Sequence, residues 1–275
     1  MAEVTVLGNF SIDRIDERPP SPGGCPVFAV MAFQALRRQG RVVARLAAED
    51  RWLYDDLLGD AEELISTLTT GTTSAFGLRY VAGRRTLTVD AIGEPWSVAE
   101  VKAAAVDTEW VHVSPLLRSD FPPSVLASLS AAGHRISYDG QGLVRVPELG
   151  SLRLDDDFDR TLLRSVTVLK LNGEEADALG GESFDPATAR RLGVPEILVT
   201  FGADGCDLYL EGEKTYIPAR PITDIHTTGT GDAFMVSYLA DRAEGVPPAD
   251  AAHHASSVVA DLLEKRRATE SGLRP

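Results

Sequence analysis

The stretch "TTGTGDAF", residues 227–234, combines threonine, glycine and aspartate where a long helix is predicted to begin. Gly229 and Gly231 lack side chains, so a ligand can approach the backbone closely there. The N–H groups at a helix N-terminus carry partial positive charge and can hold a phosphate group or the oxygens of a phosphoryl group in transfer. Asp232 follows in the first turn, where a carboxylate can accept a proton from a hydroxyl that attacks phosphorus. These residue types at this spacing therefore fit phosphoryl transfer.

Three other interpretations of the same stretch compete with this one. A Walker A loop requires a lysine after its last glycine, and Asp232 stands there instead. A dinucleotide-binding fingerprint requires a third glycine at the position of Phe234, and it normally follows the first strand of the chain. An ordinary helix cap, with Thr and Gly before the helix and Asp in its first turn, stays open on the spacing alone.

The elements that must position this stretch alternate between apolar strands and helical patterns. Residues 4–13 form the first apolar, β-branched run, and a helical pattern ending at Gly40 follows. Residues 64–92 alternate apolar and polar residues, which predicts consecutive strands or a hairpin. Two helices are predicted to close the chain, over residues 229–244 and 249–265. The alternation predicts a single α/β domain, residues 1–275, with a mostly parallel sheet covered by helices on both faces.

Polar or glycine-rich segments follow nearly every predicted strand. In open parallel sheets, ligands bind at the carboxyl ends of the strands, so these segments are expected to line one cleft. The segments are Gly8–Asp13, Ser114–Pro115, Asp139–Gly142, Asn172–Glu175 and Thr200–Gly202.

Composition limits the classes of function. The 275 residues carry a net charge of −14, which argues against nucleic acid or an anionic membrane surface as a partner. No apolar run is long enough to span a bilayer, and the N-terminus lacks the basic region of a signal peptide. Cys25 and Cys206 stand apart, so neither a disulfide framework nor a zinc site is predicted. The acidic run 155–157 is expected to be a solvated loop or helix start, and the protein is expected to be cytoplasmic.

Several motifs in the right order resemble the ribokinase (PfkB) family of sugar kinases. "HTTGTGDAF" resembles that family's D-T-x-G-A-G-D-x-F signature, and "LKLNGEEADAL" resembles its N-x-x-E motif. "VLGNFSID" is similar to its opening strand, Gly23-Gly24 to its diglycine, and "LVTFGADG" to the strand and turn beside its nucleotide. The resemblance covers almost the whole chain. It implies a three-layer ribokinase-like α/β fold and an ATP- and Mg²⁺-dependent kinase that phosphorylates a hydroxyl of a small sugar, cyclitol or nucleoside.

The resemblance also assigns roles to individual residues. Asp232 would be the base, and the backbone of Gly229, Thr230 and Gly231 would form the anion hole. The residues expected at the acceptor are Asn9, Asp13, Gly23, Gly24, Phe28 and Asp139, although Asp139 could instead cap a strand. The residues expected at the nucleotide are Thr200, Gly202, Gly205 and His254. Asn172 and Glu175 would act on Mg²⁺ through its waters, since Mg²⁺ keeps much of its hydration shell.

The chain departs from the family pattern at three places. His226 replaces the leading Asp that helps relatives to bind a monovalent cation, which puts potassium activation in doubt. Only residues 14–22, nine residues, separate Asp13 from Gly23, so the lid is expected to be reduced or absent unless residues 74–92 supply some covering strands. A missing lid would also remove the surface through which relatives often dimerise, so the sequence does not decide whether the protein forms a homodimer. Phe28 stands where an Asn is common, which is similar to the myo-inositol kinase-like branch and would reshape the acceptor pocket.

A non-catalytic sugar- or nucleotide-binding protein of the same fold is the alternative function. The carboxylate of Asp232 behind Gly229 and Gly231 favours the enzyme, because a binding protein has no need of a base at that position. A nucleotide-dependent oxidoreductase lacks the early glycine fingerprint and its acidic partner.

Overall fold

The computed structural model describes residues 3–81, 84–181, 183–220 and 229–270. Within these ranges the strands are β1 (Val4–Asn9), β2 (Ser11–Ile15), β3 (Ser21–Gly23), β4 (Gly40–Ala47), β5 (Ile65–Thr70), β6 (Ser74–Val81), β7 (Arg84–Ala91), β8 (Trp110–Ser114), β9 (Arg135–Asp139), β10 (Gly150–Ser151), β11 (Val168–Asn172), β12 (Glu196–Thr200), β13 (Cys206–Leu210) and β14 (Glu213–Ile217). The α-helices are α1 (Cys25–Leu36), α2 (Asp55–Asp60), α3 (Val98–Ala104), α4 (Pro123–Ala131), α5 (Gln141–Val144), α6 (Gly173–Gly180), α7 (Pro186–Leu192), α8 (Thr230–Ala243) and α9 (Pro248–Glu270). Short 3₁₀ helices span Ala48–Tyr54, Arg160–Ser165 and Gly202–Asp204.

The described part of the chain forms a nine-stranded sheet in the order β14-β13-β12-β11-β9-β8-β1-β4-β5. All pairs from β12 to β5 are parallel, and β13 and β14 extend the edge as an antiparallel hairpin. Every residue of β1 and β8 is buried, because helices cover both faces of a parallel sheet. The predicted mostly parallel sheet is confirmed.

Two apolar cores lie on opposite faces of this sheet. On one face, α1, α8 and α9 pack through residues such as Phe33, Leu239 and Ala255. On the other face, α3, α4, α6 and α7 contribute residues such as Leu126 and Leu179. This arrangement is the predicted three-layer architecture, and it places the N-terminus of α8 at the carboxyl edge of the parallel strands.

A second sheet in the described residues, here called the lid, has the order β10-β7-β6-β2-β3. The expectation of a reduced or absent lid is therefore wrong. The short interval before Gly23 still forms a hairpin, because Asp16 adopts a left-handed φ of 50° and Arg18 N–H donates to Ile15 O at 3.0 Å. The β6–β7 hairpin supplies the longest lid strands, and β2 pairs with β6.

Local boundaries differ from the predictions in two places. The helix predicted to stop at Gly40 ends at Leu36, where Arg37 takes the left-handed conformation, and Gly40 instead begins β4. A Cβ on Gly40 would overlap the ring of Phe33, so packing rather than helix termination requires this glycine. The last helix, predicted over residues 249–265, spans Pro248–Glu270 instead.

Candidate active site

An open cleft of about 1060 Å³ lies between the lid and the carboxyl ends of the parallel strands. It brings together residues predicted for the acceptor, the metal and the transferred group. From the acceptor set the cleft is lined by Asp13, Gly24, Phe28 and Asp139. The remaining predicted residues that line it are Asn172, Glu175, Thr200, Gly202, Gly229, Thr230, Gly231 and Asp232. Residues far apart in the sequence thus meet at one edge of the sheet.

The glycine turn at the start of α8 has the conformation that its sequence requires. Gly229 has a φ of 81°, which is the left-handed region, and its carbonyl accepts the first helical hydrogen bond from Ala233 N–H at 3.0 Å. The ring of Phe28 lies so close that a Cβ on Gly229 would overlap it. His226 and Thr228 lie outside the described residues.

Asp232 stands in the first turn of α8 with its carboxyl deep in the cleft. Burial and then the nearby charge of Asp139 raise the pKa of Asp232 to about 6, against the opposing effect of the Lys170 ammonium. The thiol of Cys25 donates a hydrogen bond to the Asp232 carboxylate. A carboxylate with a pKa near neutrality is a stronger base than an exposed one and is still largely deprotonated at pH 7.

Lys170 is a cleft residue that the sequence analysis did not identify. Its side chain is 9% exposed, and its Nζ lies 3.4 Å from both Oδ1 and Oδ2 of Asp139. Burial alone would lower the pKa of Lys170, but the charges of Asp139, Glu175 and Asp232 outweigh it and raise that pKa. The available signal was a lysine between two leucines in a buried strand, since lysine is almost never buried without a partner.

Asn172 and Glu175 form a reciprocal capping box at the start of α6. Glu175 N–H donates to Asn172 Oδ1 at 2.8 Å, while Asn172 N–H and Nδ2 donate to the two Glu175 carboxylate oxygens at 2.9 and 2.8 Å. Burial raises the pKa of Glu175, which Lys170 opposes, and Arg145 lies 3.9 Å away. The pair therefore caps α6 and also lines the cleft.

The oxygen atoms that line the cleft indicate how Mg²⁺ could be held there. In the described residues no group of three or more His, Cys, Asp or Glu is placed to hold a metal ion directly. The oxygens of Asn172 and Glu175 already accept hydrogen bonds inside the capping box, yet both residues line the cleft. Their arrangement fits contact with a hydrated ion through water, and it does not fit direct chelation.

The diglycine makes room on the side of the cleft where the acceptor is predicted to bind, here called the predicted acceptor side. A Cβ on Gly23 would overlap the Asp13 carboxylate, which also accepts a hydrogen bond from Ser11 Oγ at 2.8 Å. Gly24 has a φ of 89° and lies against the carbonyl of Asn9, where a Cβ would collide. Apolar side chains of the lid, among them Phe76 and Leu78, face the same space. The predicted acceptor side therefore combines carboxylates with an apolar roof.

Asn9 does not face the cleft, so its assignment to the acceptor is corrected. Its side chain is buried, donating from Nδ2 to Asp120 Oδ2 at 2.9 Å and accepting from Trp96 Nε1 at 2.9 Å. The amide is thus committed at both ends to protein partners. It ties the junction of β1 and β2 to the loops after β7 and β8.

A second pocket of about 720 Å³ adjoins the cleft, and Thr230 and Gly231 line both. Thr200, Gly202 and Gly205, all predicted at the nucleotide, line this pocket. Its far wall is apolar and comes from α9, through Val259, Ala260 and Leu263. The pocket therefore offers a slot for a flat apolar group next to the glycine turn.

His254 is not part of that pocket, which corrects its assignment to the nucleotide. Its Nδ1 lies 2.5 Å from Asp241 Oδ2, and its side chain lines a separate cavity with Arg38. The α9 residues that reach the pocket beside the glycine turn occupy a different face of the helix, so the histidine points away from that pocket.

The acidic run 155–157 forms part of a loop held by Arg118, as expected of a structural segment. Arg118 donates to Leu143 O at 2.6 Å, to Asp157 O at 2.6 Å and to the Asp155 carboxylate. Across the described ranges, the helices are too short or too polar to cross a membrane.

Comparisons with known proteins agree with this geometry. The model of the family described as pfkB family carbohydrate kinase matches residues 62–273. A fructokinase from Klebsiella pneumoniae is 26% identical over 278 residues, covering 89% of this chain and 86% of that protein. An inositol 3-kinase from Zea mays is 31% identical over 134 residues, covering 47% of this chain and 34% of that protein.

Solved structures confirm the predicted ribokinase-like fold. A pyrophosphate-dependent kinase in the ribokinase family, complexed with a pyrophosphate analog and myo-inositol, aligns with a TM-score of 0.82. The alignment covers 95% of both chains at 22% sequence identity, and at that identity the likeness concerns the fold alone.

Proposed function

The chain belongs to the pfkB family of carbohydrate kinases, and from that premise we propose that it transfers the γ-phosphoryl group of ATP to a hydroxyl of a small sugar, cyclitol or nucleoside. Kinases of this family use ATP and are transferases. One observation carries the proposal for this chain. Asp232 stands beside the Gly229–Gly231 turn at the junction of the apolar pocket and the carboxylate-lined cleft.

The donor would occupy the pocket beside α9. A nucleoside base fits the apolar wall formed by Val259, Ala260 and Leu263, and its phosphates would extend towards the glycine turn. The N–H groups at the start of α8 would then hold the transferred group, because they carry partial positive charge and need no reorganisation during the reaction. Phosphoryl transfer depends mainly on such positioning and charge stabilisation.

Asp232 would accept the proton of the attacking hydroxyl. The new bond forms between the acceptor oxygen and the γ-phosphorus, the bond to the leaving diphosphate breaks, and the acceptor proton passes to the Asp232 carboxylate. The pKa of about 6 supports this role, because the carboxylate is ionised at neutral pH but holds a proton better than an exposed aspartate.

The acceptor would lie between Asp13 and Asp139 beneath the lid. Carboxylates accept hydrogen bonds from vicinal hydroxyls, while Phe28 and the apolar lid residues would cover the C–H face of a ring. A neutral ring bearing several hydroxyls matches this combination. The inositol 3-kinase of Zea mays among the relatives supports including cyclitols in the class.

Mg²⁺ fits this scheme as an ion carried by the donor phosphates. It would supply positive charge to the phosphate oxygens, and Asn172 and Glu175 would contact its waters rather than the ion itself. Activation by potassium is not part of the proposal, because His226 stands where the family signature has an acidic residue.

A coupled assay of ADP release over ribose, fructose, myo-inositol and nucleosides tests the proposal. A parallel assay of phosphate release uses pyrophosphate as a second donor. We expect turnover of at least one neutral polyol with ATP. Asp232→Asn should bind ADP as the wild type does and lose about 10²–10⁴-fold in kcat, the usual contribution of a general base. Binding of acceptors without turnover by either donor would instead support the non-catalytic binding protein.

A further inference from the structure

The ammonium group of Lys170 lies between two parts of the site. Its Nζ is 3.4 Å from each carboxylate oxygen of Asp139 and 3.1 Å from the position of a Cβ on Gly231. A closed charge-assisted hydrogen bond between nitrogen and oxygen measures about 2.7–2.9 Å. The ammonium therefore forms no short hydrogen bond to Asp139, and it also lies close to the backbone of the glycine turn.

The sheet holds Lys170 firmly in this position. Lys170 and Asp139 are register partners in the parallel β9–β11 pair, and the Lys170 side chain is 9% exposed. A buried lysine is costly unless its charge is compensated. The charges of Glu175 and Asp232 add to that of Asp139 in holding the proton on Nζ. The group is thus a fixed positive charge at the mouth of the turn.

The charges that line the cleft leave a place for this cation. Among the described lining residues the carboxylates are Asp13, Asp139, Glu175 and Asp232, and the cations are Lys170 and Arg145. Arg145 approaches Glu175 at 3.9 Å, whereas Lys170 approaches Gly231. A phosphoryl group that enters this acidic cleft meets repulsion from the carboxylates, which a cation beside the turn offsets.

We propose that Lys170 is a catalytic residue whose ammonium contacts the oxygens of the phosphoryl group while that group passes between donor and acceptor. This role rests on the proposed kinase function. Lys170 keeps its proton throughout, and the acceptor proton goes to Asp232. The ammonium stabilises the negative charge on the oxygens of the transferred phosphoryl group. Together with the N–H groups of the turn, it completes a binding site for the transition state from the side of the sheet.

A simpler role for Lys170 is to neutralise Asp139, and the two roles predict different double-mutant behaviour. If Lys170 only balances Asp139, removing the lysine should have no effect once Asp139 is already uncharged. If Lys170 contacts the phosphoryl group, its removal should cost the same in either background, because the two side chains then act on different groups.

The test uses Lys170→Met, Asp139→Asn and the double variant. Calorimetry measures binding of ADP, and then of ADP with magnesium, aluminium fluoride and saturating acceptor, a mixture that mimics the transition state. We expect Lys170→Met to weaken binding of the mimic about 10²–10³-fold, which is the usual effect of losing one hydrogen-bond donor to a transition state. The affinity for ADP should change little. The same loss is expected when Asp139→Asn is compared with the double variant.

The outcomes separate the two proposals. Wild-type turnover of an acceptor establishes the kinase function independently of Lys170. An unchanged mimic affinity in Lys170→Met, or a loss that vanishes in the Asp139→Asn background, would overturn the catalytic role. If Lys170→Met fails to fold because Asp139 is left unpaired, the comparison within the Asp139→Asn background still decides, because residue 139 is uncharged there.

Discussion

The ring of Phe28 lies directly against Gly229, so close that a Cβ on the glycine would overlap three ring atoms. Phe28 belongs to α1 and Gly229 precedes α8, so this contact joins the predicted acceptor side of the cleft to the glycine turn. Phe28 was predicted to shape the acceptor pocket, and its place against the turn adds a second role that sequence alone does not reveal.

We predict that Gly229→Ala lowers kcat at least about tenfold, because the new Cβ meets Phe28 and the φ of 81° is unfavourable for alanine. The double variant Phe28→Ala/Gly229→Ala removes the collision but keeps the unfavourable φ, so it should recover part of the loss. Steady-state kinetics of both variants check this. Equal activity of Gly229→Ala and the wild type would contradict a fixed turn.

The acid limb of the pH profile should report Asp232. The pKa of Asp232 is raised to about 6, and a base acts only when deprotonated, so kcat/KM should fall about tenfold per pH unit below that value. Burial also raises the pKa of Asp120 to about 6, although Asp120 lies outside the cleft. Asp120→Asn is therefore the matched control and should keep the same acid limb. If the acid limb disappeared in Asp120→Asn, the titrating group would be Asp120 and the assignment to Asp232 would be wrong.

Asp232→Asn should stabilise the fold at high pH. The folded-state pKa of about 6 exceeds the ordinary 3.8, so the folded state binds the proton more tightly and loses stability as pH rises between these values. At pH 8 we expect the variant to gain on the order of 1–3 kcal/mol in free energy of unfolding. The gain should vanish as the pH falls below 3.8, where both states are protonated.

Urea denaturation of Asp232→Asn at several pH values measures this gain. Asp56→Asn provides the control, because Asp56 is exposed in the first turn of α2 and its replacement should change stability little at any pH. A gain for Asp232→Asn that is independent of pH would show that the effect is not electrostatic.

Arg118→Ala should destabilise the segment that carries Gln141 and Arg145 to the cleft. Arg118 donates to Leu143 O and to the acidic loop, so its loss leaves partly buried carbonyls without a donor. We expect a loss of about 2–4 kcal/mol from several such bonds together. Thermal unfolding checks this value. Arg153→Ala, which breaks an exposed pair with Glu148, should cost at most about 1 kcal/mol.

The parts of the site that the sequence predicted are those encoded locally. The turn from Gly229 to Asp232 and the N-x-x-E segment from Asn172 to Glu175 each depend on residues within one helical turn, and the structure forms both at helix starts. The parallel sheet was predictable for a similar reason, because each strand and each helix shows its own periodicity.

The parts that the sequence did not predict depend on pairing or orientation across the chain. The lid requires β2 to pair with β6, a pairing that no local pattern encodes, so the nine-residue interval after Asp13 wrongly predicts a reduced or absent lid. Asn9 and His254 are polar residues that the sequence analysis expected in the site. The Asn9 side chain instead hydrogen-bonds Asp120 and Trp96, and the His254 side chain pairs with Asp241. Packing decides on which face of a helix or strand a side chain lies, and the fact that a residue is polar does not reveal that face.

The single residue Phe10 separates β1, in the main sheet, from β2, in the lid. Asp13 therefore belongs to the lid, whereas Asp232 belongs to the body of the protein. An acceptor that spans both carboxylates gains binding energy that holds its hydroxyl at the base, and a water molecule is too small to gain the same. For the proposed kinase, the division of the two carboxylates between lid and body thus disfavours hydrolysis. ATP bound in the pocket beside α9 should persist until an acceptor of the right length arrives, and the futile ATPase rate should be low.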